Sequence, residues 1–190
     1  MPQFDSLIGF LDSRSFATIW YWLVVIGTWS LTGRSVIGVP TEILVRARAA
    51  LADGQPDAPV VLHLLDWLSL VLPRWRLGAR EGAVFLGMTA FALSSLAIMG
   101  IGYDLELALA AFLLLLPFAI LFWLRVALAR RLAPLLEAAE RGAQPVPEAA
   151  AQAVRHMVFH RRLVTVLSMA AVAVTALWGA LWSVVHRYGF

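Results

Sequence analysis

The chain has 190 residues, 61% of them hydrophobic and only 14% charged. A soluble domain carries about 25% charged residues, so one water-facing core cannot hide this much apolar surface, and lipid must cover part of it. All 15 basic residues are Arg and cysteine is absent. That excludes disulfides, thiolate metal ligands and a Cys nucleophile. The Arg residues gather where a membrane protein keeps its inside charges, which speaks against nucleic acid as a partner.

Taken in order, residues 1–14 place Phe4, Leu7, Ile8 and Leu11 on one helical face and predict a short helix lying in the interface. The first charges are Asp5 and Asp12 rather than a basic leader, so no cleaved signal peptide is expected. Residues 15–33 are the first expected span. Trp20 and Trp22, with Tyr21 between them, form an aromatic belt at one end, and Arg34 marks the other interface. Pro40 restrains the exit.

Residues 41–81 form the first large loop. It holds a short helical pattern over 43–51 and a turn cluster at Asp53-Gly54-Gln55-Pro56-Asp57. The apolar run 60–72, with His63 and Asp66, is too short to span and reads as a helix on the inner leaflet. Residues 82–102 are the second expected span. Ala83, Gly87, Ala90, Ser94 and Ala97 recur along it at spacings of four and three, the pattern that lets another helix approach closely.

The link Gly102-Tyr103-Asp104 turns the chain into the third expected span, 105–129. Leu113–Leu116 predict a lipid-facing helix, and Pro117 predicts a kink. Residues 130–162 form the second large loop, with a helical extension over 132–140 and a break at 142–147. The fourth expected span, 163–185, has its own small stripe: Ala171, Thr175, Gly179 and Ser183. The second span is expected to pack on the fourth. Trp178, Trp182 and Tyr188 form a second aromatic belt.

Orientation follows from Arg. The two loops hold Arg46, Arg48, Arg74, Arg76, Arg80, Arg130, Arg131, Arg141, Arg155, Arg161 and Arg162, with Arg34 and Arg125 flanking the same side; Arg14 and Arg187 alone lie opposite. The positive-inside rule makes both loops cytoplasmic and both termini periplasmic. The expected object is all-α: one membrane domain over 1–190, with four transmembrane helices, short interfacial amphipathic helices, and a bacterial inner (cytoplasmic or intracytoplasmic) membrane as its location.

Little in the sequence points to chemistry. No Ser–His–Asp order, phosphate loop or HExxH occurs, so no catalytic residue is expected and the chain is read as a non-enzyme. His156 and His160 lie four apart on one helical face, but zinc takes at least three protein ligands; they stay weak metal candidates beside His63 and Asp66. His186 lacks a second outer His to share a haem. No ionisable residue lies in the middle of a span, where transporters keep them; the hydroxyls of Ser94, Ser95 and Thr175 leave a neutral-solute path as an alternative. Arg46, Arg48, Arg74, Arg76, Arg130, Arg131, Arg161 and Arg162 are suited to anionic lipid headgroups, at about 1 kcal/mol each.

The run Leu11-Asp12-Ser13-Arg14-Ser15-Phe16, then Trp20-Tyr21-Trp22, Ile37-Gly38-Val39-Pro40 and Arg46-Ala47-Arg48, resembles a family of small alphaproteobacterial four-pass proteins often described as a component of SufBCD complex. His160-Arg161 before the last span and Trp178-Gly179 within it are similar as well. The resemblance covers the first third well and the rest loosely. Its name implies iron–sulfur assembly, and its lineage implies a setting rich in respiratory and photosynthetic complexes.

Together these readings predict a non-catalytic accessory subunit of an energy-transducing inner-membrane complex, either photosynthetic reaction-centre light-harvesting or respiratory. Its partners would be other integral membrane subunits and anionic lipid. No intrinsic cofactor is expected, although pigment or quinone can sit at a partner interface. A membrane anchor for a cytoplasmic assembly is the other alternative.

Overall fold

A computed structural model describes Ser15, Phe16 and Thr18–Arg187, apart from the side chains of His186 and Arg187. The expected interfacial helix over 1–14 and the belt residue Tyr188 lie outside the described residues. The described residues are almost all helical, at 84%.

Helix α1 is Ile19–Thr32. A two-residue strand pair follows, β1 (Ser35–Val36) with β2 (Val39–Pro40), antiparallel. Then come α2 (Thr41–Ala52), α3 (Pro59–Val71) and a 3-10 turn at Leu72–Trp75. Helix α4 is Ala79–Ala97, extended by a π turn at Ile98–Gly102. Helices α5 (Glu106–Glu140) and α6 (Val146–Arg187) complete the chain.

Three helical stretches are long and apolar enough to cross a membrane: Ala79–Gly102, and the helices Glu106–Glu140 and Val146–Val185. The first apolar stretch is shorter than expected. Its 14 helical residues reach about 21 Å at 1.5 Å per residue, against about 30 Å of hydrocarbon.

The chain divides into two compact units: residues 1–30, 79–120 and 166–190 in the first, and 31–78 and 121–165 in the second. The first is organised around Phe16. Its ring meets Tyr21 edge-on at 5.4 Å and Trp182 at 6.4 Å, and packs with Leu109 and Ala110. Its backbone N–H donates to the Glu106 carboxylate at 2.6 Å, and its carbonyl accepts from the Trp22 indole at 3.1 Å. Glu106, at the start of α5, is buried at 7% exposure. Burying a charged carboxylate is costly unless hydrogen bonds compensate, and the Phe16 amide supplies one.

The hairpin link is tight for a visible reason. A Cβ placed on Gly100 would lie 2.6 Å from the backbone nitrogen of Leu109, so only glycine allows this approach. The Leu105 amide donates to the Met99 carbonyl, and Asp104 takes a φ of 54°.

Two expectations for this unit need correction. The third span is more covered by the chain itself than expected: 28% of its most apolar window is buried, against 6% for the second span and 11% for the fourth. Ala108, Leu109 and Ala110 pack inward, and Pro117 is buried within an unbroken α5. Nor is the small stripe of α4 an inner packing face. Ala83, Gly87, Ala90 and Ser94 are exposed and Ala97 is half-buried, and a Cβ on Gly87 would meet nothing within 4 Å.

The second unit is the larger surprise. The segments read as loops close around their own core: Val61, Leu64 and Leu68 of α3, Leu44 and Ala47 of α2, Leu128 and Leu132 of α5, and Ala153 and Met157 of α6. Helix α3 therefore does not simply lie on a leaflet; one face is packed by the chain itself, while Leu62, Trp67 and Leu70 stay exposed. The strand pair was also unforeseen. Its turn is Ile37-Gly38, with φ of 54° and 90°, the pair of left-handed residues that a two-residue type I′ hairpin requires.

Candidate functional site

Positive charge and a partly open cavity coincide in the second unit. One cavity, of about 220 Å³, is lined by Thr32, Ser35, Arg125, His160, Arg161 and Thr165 among others. Arg125 comes from α5, His160 and Arg161 from α6, and the remaining wall from the end of α1 and from β1. No carboxylate lines it. His160 is 4% exposed. It precedes the apolar part of α6 that begins at Leu163, and burial, reinforced by the charge of Arg125, pushes its pKa down to about 4. The ring is therefore neutral at pH 7. Arg125 lies over the Trp75 ring at 5.6 Å, a cation–π contact, and Trp75 in turn packs on Phe122.

A second, open groove of about 400 Å³ is lined by Arg48, Arg155 and Arg162 together with Leu51, Val154 and Phe159. Charged groups around an apolar wall suit an amphiphile with an anionic head. A third pocket, of about 470 Å³, is lined by Trp67, Val71, Arg74, Trp75 and Phe122 beside the Ile37-Gly38 turn.

The headgroup arginines thus divide. Arg161 lines the first cavity, Arg48 and Arg162 the groove, and Arg74 the aromatic pocket. Arg46 pairs with Glu42 at 3.8 Å, and Arg76 pairs with Glu137. Arg130 and Arg131 are exposed. No family model, curated protein or solved structure matches the chain. What the site does must therefore be argued from its own residues.

His156 is half-buried and His63 and Asp66 are exposed; among the described residues, no three His, Asp or Glu side chains gather to hold a metal. The side chain of His186 lies outside the described residues. In the first unit, the second small stripe is occupied. Thr175 is 3% exposed and shares a hydrogen bond with Tyr21, and a Cβ on Gly179 would meet the Phe16 ring at 3.3 Å. Ala171 is half-buried and Ser183 is exposed, its hydroxyl donating to Ala180.

The aromatic belts divide too. Trp20 is 73% exposed and Trp178 is exposed, whereas Trp22 and Trp182 close on Phe16. Sequence reasoning missed Phe16, Glu106 and the cavity role of Arg125. Only Arg125 left a signal, as an arginine inside an otherwise apolar run.

Proposed function

We propose that this chain is a non-catalytic accessory subunit of a larger inner-membrane complex, with an energy-transducing complex, photosynthetic or respiratory, as host. One observation carries the reading: two small-residue faces meet different fates. On α6, Thr175 and Gly179 are covered by Tyr21 and Phe16 of the same chain. On α4, Ala83, Gly87, Ala90 and Ser94 are open, with space over Gly87. Small residues repeated along a span let a neighbouring backbone approach closely, and packing is the main force joining helices in lipid. Among the described residues nothing covers this face at Gly87; a partner subunit does.

The four-span topology belongs to the same reading. Helix α1 crosses as the first span with help from its flanking residues and local bilayer thinning, both termini face the periplasm, and the Arg-bearing loops face the cytoplasm. Anionic lipid occupies the groove of Arg48, Arg155 and Arg162. The resemblance to small alphaproteobacterial four-pass proteins is consistent with such a setting. Of Ser94, Ser95 and Thr175, which a neutral-solute path would use, none lines the three cavities described, and the hydroxyls of Ser94 and Thr175 are engaged with Phe91 and Tyr21.

Purification from native membranes in mild detergent tests the proposal. A stoichiometric membrane partner is expected, lost in Gly87→Leu and Ala90→Leu while expression is retained. Migration as a lone 20.8 kDa chain overturns it. A second reading, an anchor for a cytoplasmic assembly, is favoured by the self-contained core of the second unit. It predicts soluble partners in the same experiment, indifferent to the α4 variants.

A further inference from the structure

We infer that the cavity walled by Arg125, His160 and Arg161 is a binding site for a phosphate-type oxyanion. The proposal does not rest on the accessory-subunit reading: its residues lie on α5 and α6, not on the open face of α4.

Three observations converge on it. The first is charge. Two arginines from different helices line one cavity, and no acid does. Arg125 is half-buried and forms no ion pair with a described carboxylate; its described partner is the Trp75 ring. A ring face attracts the cation but accepts few of its five N–H donors, which leaves donors for an anion in the cavity.

The second is His160. It is 4% exposed and lines the cavity. A neutral imidazole carries one N–H donor and an imidazolium two, and an oxyanion in the cavity can accept from either.

The third is size. At roughly 30 Å³ per water, 220 Å³ takes about seven waters. That is room for one tetrahedral oxyanion with some of its hydration, and too little for a drug-sized organic ligand, which needs about 300–1,000 Å³. Arginine pairs well with phosphate through paired N–H donors.

Proton uptake follows from the geometry. Empty, the cavity disfavours the charged form of His160, through burial first and the charge of Arg125 second; Arg161 on α6 is the other charged group lining it, and nothing titratable lines it from α1 or β1. An anion reverses the sign of the local field, and an opposite charge at this range raises a histidine pKa by about 1–3 units. Binding and protonation of His160 therefore help each other, and occupancy rises as pH falls.

The oxyanion has two possible sources, free phosphate in the cytoplasm and the phosphodiester of an anionic lipid. The test uses the full chain, labelled with nitrogen-15 histidine, in a phosphate-free maltoside detergent. Imidazole resonances are followed through pH titrations with no addition, with inorganic phosphate, and with phosphatidylglycerol; His160→Gln assigns the signal. A rise of about one unit or more in the His160 pKa is expected with at least one probe. Response to inorganic phosphate identifies a free-anion site, and response to phosphatidylglycerol alone identifies a headgroup site.

Arg125→Gln and Arg161→Gln should each weaken binding by about 10- to 100-fold, and Arg130→Gln should leave it unchanged. Arg161 is exposed, so its variant carries the test if Arg125→Gln fails to fold. No movement of the His160 signal with either probe overturns the proposal. So does binding that survives both arginine variants.

Discussion

The hairpin between α4 and α5 makes a sharp test, because two glycines in one stretch should respond to the same substitution with opposite signs. Replacing Gly100 by Ala places a methyl 2.6 Å from the Leu109 nitrogen, 2.7 Å from its Cα and 2.8 Å from its Cβ. The obstructing atoms are mostly backbone, so the two segments must separate. Forcing an extra methylene into a packed site costs about 1–3 kcal/mol. Replacing Gly87 by Ala meets nothing within 4 Å and removes a helix-weakening glycine, worth about 0.5–1 kcal/mol in favour of the fold. The two variants should therefore differ by about 1.5–4 kcal/mol, or roughly 10- to 700-fold in the unfolding constant. The chain has no cysteine, so a single Ala110→Cys reporter, at a position with 0% exposure, gives a clean thiol-labelling assay during thermal unfolding in detergent. Equal stability of the two variants, or a less stable Gly87→Ala, refutes the close approach.

Other substitutions test other parts of the fold. Glu106→Ala leaves the buried Phe16 amide without its acceptor and should cost about 1.5–3 kcal/mol, whereas Glu106→Gln keeps an oxygen there and should cost less; thermal unfolding with the same reporter measures both. Leu64→Ala, at 0% exposure, should lose about 2–5 kcal/mol, while Leu70→Ala, at 73% exposure, should stay within about 0.5 kcal/mol; equal losses would deny the second unit its core. His160 is held neutral in the fold, with a pKa of about 4 against 6.5 for the free side chain. Its contribution to stability is therefore complete above pH 6.5 and is lost as pH falls from 6.5 toward 4. In anion-free buffer, His160→Gln should flatten that part of the pH–stability curve measured by thermal unfolding.

Much of the architecture was legible because lipid imposes a coarse rule, long apolar runs between charged ends. That rule located α4, α5 and the apolar half of α6, and the break near Gly142. It failed where the competing demand was packing inside the chain. Val61, Leu64 and Leu68 sit at helical spacing, and periodicity cannot tell an interface-seeking face from a face that meets Leu44 and Met157. The small stripes show the same limit. Their spacing says that a face admits close approach, yet Thr175 and Gly179 are covered by Tyr21 and Phe16, more than 150 residues distant, while Gly87 is not. Glu106 and Phe16 bond across 90 residues, a separation no local pattern reports. The cavity combines the same difficulty: Arg125 and His160 are 35 positions apart, and only the fold brings them to one wall.

The Ile37-Gly38 turn bears on the order in which the chain folds. A β-branched residue at φ 54° is strained by about 1–3 kcal/mol, close to the roughly 1.5–3 kcal/mol that burying isoleucine returns. Alone, then, the four-residue strand pair has almost no drive to form. Its burial depends on neighbours in the core that includes Val61, Leu64 and Leu68, with Val71 lying 3.2 Å from where a Cβ on Gly38 would stand. The hairpin should close late, after α2 and α3 have met. The Thr41 amide, which donates to Arg34 at 3.3 Å, should exchange its hydrogen before the amides within α3 do.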